Sequence, residues 1–251
     1  MTIFETRDLR KSFGGIDALD GATLSLNEGE LAGLIGPNGA GKTTFFNCAT
    51  GFIEPDGGTV TLEGEDVTAN PPHDLAKRGL VRTFQLTQEL ETMTVRENVM
   101  LSALDHPGEE MGAAMLRPDS VGEREAEIEE RADELLERFE LDEMASEYAG
   151  SLSGGQGKLL ELARTMMLEP DVLLLDEPFS GVNPTLVGEL VPFIEEINAS
   201  GTTVLIIEHE IGTLADLVDR LVVLHEGSVL VDGDPEDTLE NEDVRRAYFG
   251  T

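Results

Sequence analysis

The chain has 251 residues, room for one large domain or two small ones, and it can bury a core without covalent staples. Its 51 acidic against 17 basic residues give a formal net charge of −34, which argues against nonspecific binding to nucleic acid or anionic lipid. A lone cysteine, Cys48, excludes an intrachain disulfide framework and fits a reducing compartment, and no apolar stretch approaches the ~18 residues of a membrane span.

Residues 2–10 alternate loosely and predict an edge strand; Lys11 to Gly15 predict a turn. Phe13 stands in that turn and has two readings: an aromatic that stacks on a nucleotide base, or a packed phenylalanine. Residues 16–30 predict a second strand closing on a hairpin turn at Asn27–Glu30. The apolar run Leu31–Ile35 predicts a buried strand, and then comes Gly36-Pro37-Asn38-Gly39-Ala40-Gly41-Lys42-Thr43-Thr44, a GxxxxGK[ST] pattern. Its glycines permit a tight loop whose N–H groups face phosphate oxygens, and the helix that follows adds its positive end. In that geometry Lys42 reaches the β- and γ-phosphates and Thr43 offers its hydroxyl to Mg²⁺. The chain holds only four lysines, and one of them occupies this position.

Residues 51–58 are turn-rich, Thr59–Leu62 predict a strand closed by a turn at Glu63–Asp66, and Pro71-Pro72 open a helix toward Arg78. Leu80 to Gln85 predict a short strand ending in Gln85, whose amide either meets Mg²⁺ and the attacking water or faces solvent. Residues 94–104 predict a helix, 105–122 a loop or short helix, and 123–139 an amphipathic helix with apolar residues at 128, 132, 135, 136 and 139. The stretch 95–150 is thus a helical block interrupting an α/β chain.

Ser153-Gly154-Gly155-Gln156 precede a predicted helix over 157–167 and read either as an ordinary cap or as a second anion site. Val172–Leu175 predict a central strand with Asp176 and Glu177 at its carboxyl end, where ligands bind in open α/β sheets. Strand alternation points the two acids apart, giving Asp176 to Mg²⁺ and Glu177 to the water as general base. Residues 185–199 predict a helix and 202–207 a strand with His209 at its end, either a γ-phosphate sensor or a surface histidine. A helix over 211–219, strands at 220–224 and 228–231 around a turn at Glu226-Gly227, and one acidic tail helix with Tyr248 and Phe249 docked complete the expectation.

Taken together, 36-GPNGAGKTT-44, Gln85, 152-LSGGQ-156, 172-VLLLDE-177, 180-SGVN-183 and His209 resemble the ATP-binding subunit of ABC transporters over essentially the whole chain. The resemblance implies an α/β fold: a P-loop NTPase core with an antiparallel β edge subdomain over 1–94 and 151–251, and a helical subdomain over 95–150. It implies ATP and Mg²⁺, Phe13 stacked on adenine, Glu177 as catalytic base and His209 as switch. It also implies a head-to-tail pair, alike or unlike, in which each Ser153-Gly154-Gly155-Gln156 completes the other's site. Gln85 and the helical block would couple hydrolysis to two transmembrane permease subunits served by an external solute-binding protein, with this chain peripheral at the cytoplasmic face of the membrane.

The stretches 79-GLVRTFQ-85, 159-LLELARTMM-167, 180-SGVNP-184, 206-IIEHEI-211 and 247-AYFG-250 are similar to the LivG-type group of branched-chain amino acid importers. Asn183 stands where many relatives carry Asp, and Glu210 where Asp is usual; both keep a polar group. The alternatives are a urea or related importer, a lipid exporter, or a soluble ABC protein. The spread of acidic residues over a 40% hydrophobic chain further predicts a folded protein adapted to high ionic strength.

Overall fold

A strand covered on both faces needs apolar side chains at every position rather than at alternate ones. Leu31–Ile35 (β3), Val172–Asp176 (β7) and Thr203–Ile207 (β8) are apolar apart from Asp176 and Thr203 at strand ends, and every residue of the three is buried. The computed structural model describes residues 1–83, 90–104, 118–209 and 211–249. In it these strands form the interior of a six-stranded sheet with Leu80–Arg82 (β6), Arg220–His225 (β9) and Ser228–Gly233 (β10), in the order β10-β9-β3-β8-β7-β6. All neighbours are parallel except the β10–β9 pair. The carboxyl ends of β3, β7 and β8 therefore open on one edge.

A second, antiparallel sheet has the order β2-β1-β4-β5, from Thr2–Phe13 (β1), Ile16–Asn27 (β2), Gly57–Leu62 (β4) and Glu65–Asp66 (β5). It corrects two expectations. The first strand is interior, lying between β2 and β4; its alternation is loose because register shifts interrupt the pairing, with Asp8 at φ 50 inside one of them. The Asn27–Glu30 turn is no hairpin, since the strand after it joins the other sheet parallel to β8 and β9.

Lys42–Ala49 (α1) buries Phe45, Phe46, Cys48 and Ala49. One cluster unites them with Phe4, Leu9, Leu24 and Leu26 of the antiparallel sheet and with Leu34, Leu174, Leu205 and Val222 of the parallel one. Pro72–Lys77 (α2) is a short helix opened by proline. The tail is two helices, not one: Pro235–Glu240 (α8) and Glu242–Phe249 (α9) follow Ile211–Leu217 (α7). Asn241 separates them in an extended conformation, and its side chain accepts from the Asp243 N–H at 2.8 Å. These segments, with 1–85, 170–181 and 187–251, form one compact unit.

Residues 86–169 and 182–186 form a second unit. Within it, Val95–Met100 (α3) packs against Pro118–Arg138 (α4) and Gly154–Met166 (α5). The amphipathic pattern holds: Ile128, Ala132, Leu135, Leu136 and Phe139 are all buried. The helix begins at Pro118, five residues before its expected start. The helix expected from Gly157 begins at Gly154, because Ser153 caps it. Pro184–Ala199 (α6) begins one residue before its expected start, with proline in its first turn.

Fully buried Asn98 organises residues 90–94: its Oδ1 accepts from the Leu90 N–H at 3.0 Å, and its Nδ2 donates to the carbonyls of Leu90 and Thr94 at 3.2 and 3.0 Å. Asn98→Ala is expected to lower stability by about 2–3 kcal/mol in urea titration, because it strands buried backbone groups. Among the described residues no helix is long and apolar enough to cross a membrane.

Candidate active site

The loop after β3 is shaped by what cannot fit there. A Cβ on Gly36 would lie 2.2 Å from the Leu224 carbonyl oxygen, so the loop backbone rests directly on β9. Gly41 caps α1 at φ 104, and a Cβ there would lie 2.3 Å from the Ala18 carbonyl oxygen. The Ala40 N–H donates to Pro37 O at 3.1 Å, and Gly227 N–H donates to Ala40 O at 3.0 Å. Lys42, at the helix start, donates to the carbonyls of Gly36 at 2.7 Å and Pro37 at 3.4 Å. Burial pushes its ammonium below the ordinary lysine range, against the pull of Glu177 and Asp176. Thr43 is exposed beside it. The tail also reaches this loop: Tyr248 hydrogen-bonds the Gly36 backbone, and burial pushes its phenol up to about 12.

Asp176 ends β7 and is buried. Its Oδ2 accepts from Arg82 Nη2 at 2.6 Å, with the two side chains only 4% and 7% exposed. Arg82 Nη1 donates to Asn47 Oδ1 at 2.7 Å, and its guanidinium lies over the rings of Phe46 and Phe52, 5.4 and 5.9 Å from their centroids. Sequence reasoning missed Arg82 and Asn47; it expected Tyr248 to dock, without the phosphate loop as the place. A signal existed for Arg82: an arginine ending a strand whose other residues are apolar needs a buried partner.

Strand alternation does not set the direction of Glu177. It lies beyond β7 in the left-handed region, at φ 51, with its N–H donating to Ile207 O at 2.9 Å. Its Oε1 stands 2.8 Å from His209 Nε2; the carboxylate is 9% exposed and the imidazole 46%. The sheet thus brings Asp176, Glu177 and His209 together beside Lys42. Gln85 falls within residues 84–89, outside the described residues, as does Glu210.

Phe13 ends β1, is 46% exposed, and has the Lys11 ammonium 5.7 Å from its ring centroid. Lys11 itself is held by Asp56 at 2.7 Å. In the helical unit, Ser153 and Gln156 form a reciprocal cap: the Gln156 Oε1 accepts from the Ser153 N–H at 2.9 Å, and the Ser153 Oγ accepts from the Gln156 N–H at 3.4 Å. Gly154 is exposed, while a Cβ on Gly155 would lie 2.4 Å from Leu186 Cδ1.

Among the described residues no three or more His, Cys, Asp or Glu are grouped so as to hold a metal ion by themselves. The Thr43 hydroxyl and the Asp176 carboxylate are oxygen donors of the kind Mg²⁺ takes, an ion that keeps several waters and accepts one or two protein oxygens plus substrate phosphates. Cys48 is buried in α1, and desolvation pushes its thiol up to about 11. Below that value it stays protonated, so a thiol reagent at pH 8 is expected to leave the folded protein unlabelled and to label it fully in urea.

Residues 19–180 match the family described as ABC transporter. The chain is 40% identical over 249 residues to the "High-affinity branched-chain amino acid transport ATP-binding protein BraF" of Pseudomonas aeruginosa, covering 99% of this chain and 98% of that one. It is 38% identical to the "Probable branched-chain amino acid transport ATP-binding protein LivG" of Archaeoglobus fulgidus, covering 100% and 96%. Among solved structures it resembles a nucleotide-free ATP-binding cassette from an ABC transporter, at 36% identity and TM-score 0.87 over the whole of both chains. It also resembles a bacterial ABC transporter cassette solved as a dimer, at 25% identity and TM-score 0.74 over 93% of this chain and 99% of that one. Sequence, strand order and loop geometry agree, and the chain belongs to the ABC transporter family as one of its ATP-hydrolysing cassettes.

Proposed function

We propose that this chain is the ATPase subunit that powers import of branched-chain amino acids through a membrane permease. The transport assignment rests on its likeness to the BraF and LivG proteins across nearly their full length. The observation that supports hydrolysis is the 2.8 Å approach of His209 to Glu177 beside a buried lysine.

In this reading the loop from Gly36 to Thr44 cradles the phosphates and Lys42 turns from the loop carbonyls to the β- and γ-phosphates. Phe13 stacks on the adenine, a role its exposure supports. Thr43, Asp176 and Gln85 would hold Mg²⁺, which would supply positive charge against the phosphates. Glu177 takes a proton from the attacking water, and His209 orients the Glu177 carboxylate and senses the γ-phosphate. Ser153, Gly154, Gly155 and Gln156 present a helix N-terminus to the nucleotide of a second, head-to-tail subunit. The chain then sits peripherally at the cytoplasmic face of the membrane beside two permease subunits, with a solute-binding protein outside. Its helical block, 95–150, carries the stroke from the ATPase core.

The test is purification from native membranes in molar KCl, with mass spectrometry of every co-purifying chain. Two polytopic permeases, a second ATPase and a solute-binding protein that takes leucine, isoleucine or valine are expected; an exporter permease, or no membrane partner, overturns the transport reading. We further propose that the charge of −34 reflects adaptation to high salt. Thermal unfolding is expected to rise by about 10 °C or more between 0.1 and 2 M KCl, as screening relieves repulsion. A flat response would overturn that adaptation.

A further inference from the structure

We propose that Glu208 is a positioning residue that fastens the general base and the switch histidine into one unit. The proposal rests on the reading of Glu177 and His209 as the hydrolytic pair. Glu208 lies just past β8 and is only 2% exposed, a place where a carboxylate persists only if its oxygens are well used. Its Oε1 accepts from the Phe179 N–H at 2.7 Å, and its Oε2 accepts from the His209 N–H at 3.0 Å. Phe179 is on the loop that leaves β7 through Glu177; His209 is on the loop that leaves β8. One carboxylate therefore ties both loops.

The contacts close a ring. Glu177 N–H donates to Ile207 O at 2.9 Å, and the Glu177 carboxylate meets His209 Nε2 at 2.8 Å. From Glu177 the chain runs two residues to Phe179, crosses to Glu208, passes to His209 and returns to Glu177. A carboxylate suits this place because both of its oxygens are acceptors. Glutamine keeps one acceptor and turns an NH₂ toward a backbone donor; threonine is too short to span the loops. Glu208 touches no reacting atom in this arrangement. It acts by fixing where the Glu177 carboxylate stands, and a displacement of about 1 Å there costs on the order of 100-fold in rate.

The test uses the full chain with Glu208→Gln and Glu208→Asp. Turnover per nucleotide-binding site is expected to fall about 10- to 100-fold while KM for ATP stays within about 2-fold, since the phosphate loop is untouched. Counting by bound nucleotide removes any unfolded fraction from the rate. In nucleotide-free protein, hydrogen exchange at the Phe179 and His209 amides is expected to accelerate together. Turnover within about 2-fold of the parent in both variants, or faster exchange in only one loop, overturns the proposal. The exchange readout needs no hydrolysis, so it judges Glu208 even if Glu177→Gln shows that the base has been misassigned.

Discussion

Replacing Glu177 with glutamine is expected to lower turnover by about 10²- to 10⁴-fold while ATP binding persists. The substitution keeps the size of the side chain and its place near His209, but removes the basic oxygen pair that accepts a proton from water. The Glu177 carboxylate is 9% exposed, so few alternative bases from solvent reach the same position. Single-turnover hydrolysis and equilibrium nucleotide binding on one preparation check the expectation. Undiminished hydrolysis would refute the role of Glu177 as base; loss of binding together with rate would place it in nucleotide binding instead.

Arg82→Met is expected to lower stability by about 3–5 kcal/mol, measured by urea titration at constant KCl. The reason is Asp176 rather than Arg82. The pair meets at 2.6 Å with both side chains almost wholly out of water, so removing the guanidinium leaves a buried carboxylate without its partner. Methionine retains the packing over Phe46 and Phe52, which separates the charge effect from the loss of volume. Adding Asp176→Leu to Arg82→Met is expected to recover most of the loss, because an apolar pair of similar bulk has no charge to desolvate. A double variant as unstable as the single one would show that packing, not the ion pair, sets the cost.

The parallel core was legible in the sequence because strands covered on both faces are written as uninterrupted apolar runs, as in Leu31–Ile35 and Val204–Ile207. The phosphate loop was legible because glycine at 36 and 41 answers a local demand, backbone against backbone, that no side chain satisfies. The antiparallel sheet was harder to read. The register shifts in β1 hid its alternation, and nothing local to Asn27–Glu30 shows that the next strand joins another sheet. The break at Asn241 was missed because both flanking segments have acidic, helix-compatible composition. Asp176, Glu177 and His209 stood out by their place after apolar runs. Arg82 and Glu208 did not, because their partners are 94 and 29 residues away in sequence and only the sheet order unites them.

The left-handed backbone at Glu177 has a consequence for how this protein changes over generations. A non-glycine residue at φ 51 carries backbone strain of roughly 1–2 kcal/mol that glycine would relieve. Drift toward a steadier fold therefore presses against the acid, and selection for thermal resilience alone would favour its loss. A library screened only for heat tolerance should accumulate glycine or asparagine at 177 and yield well-folded, inert cassettes; only selection on growth or flux keeps glutamate in its uncomfortable place.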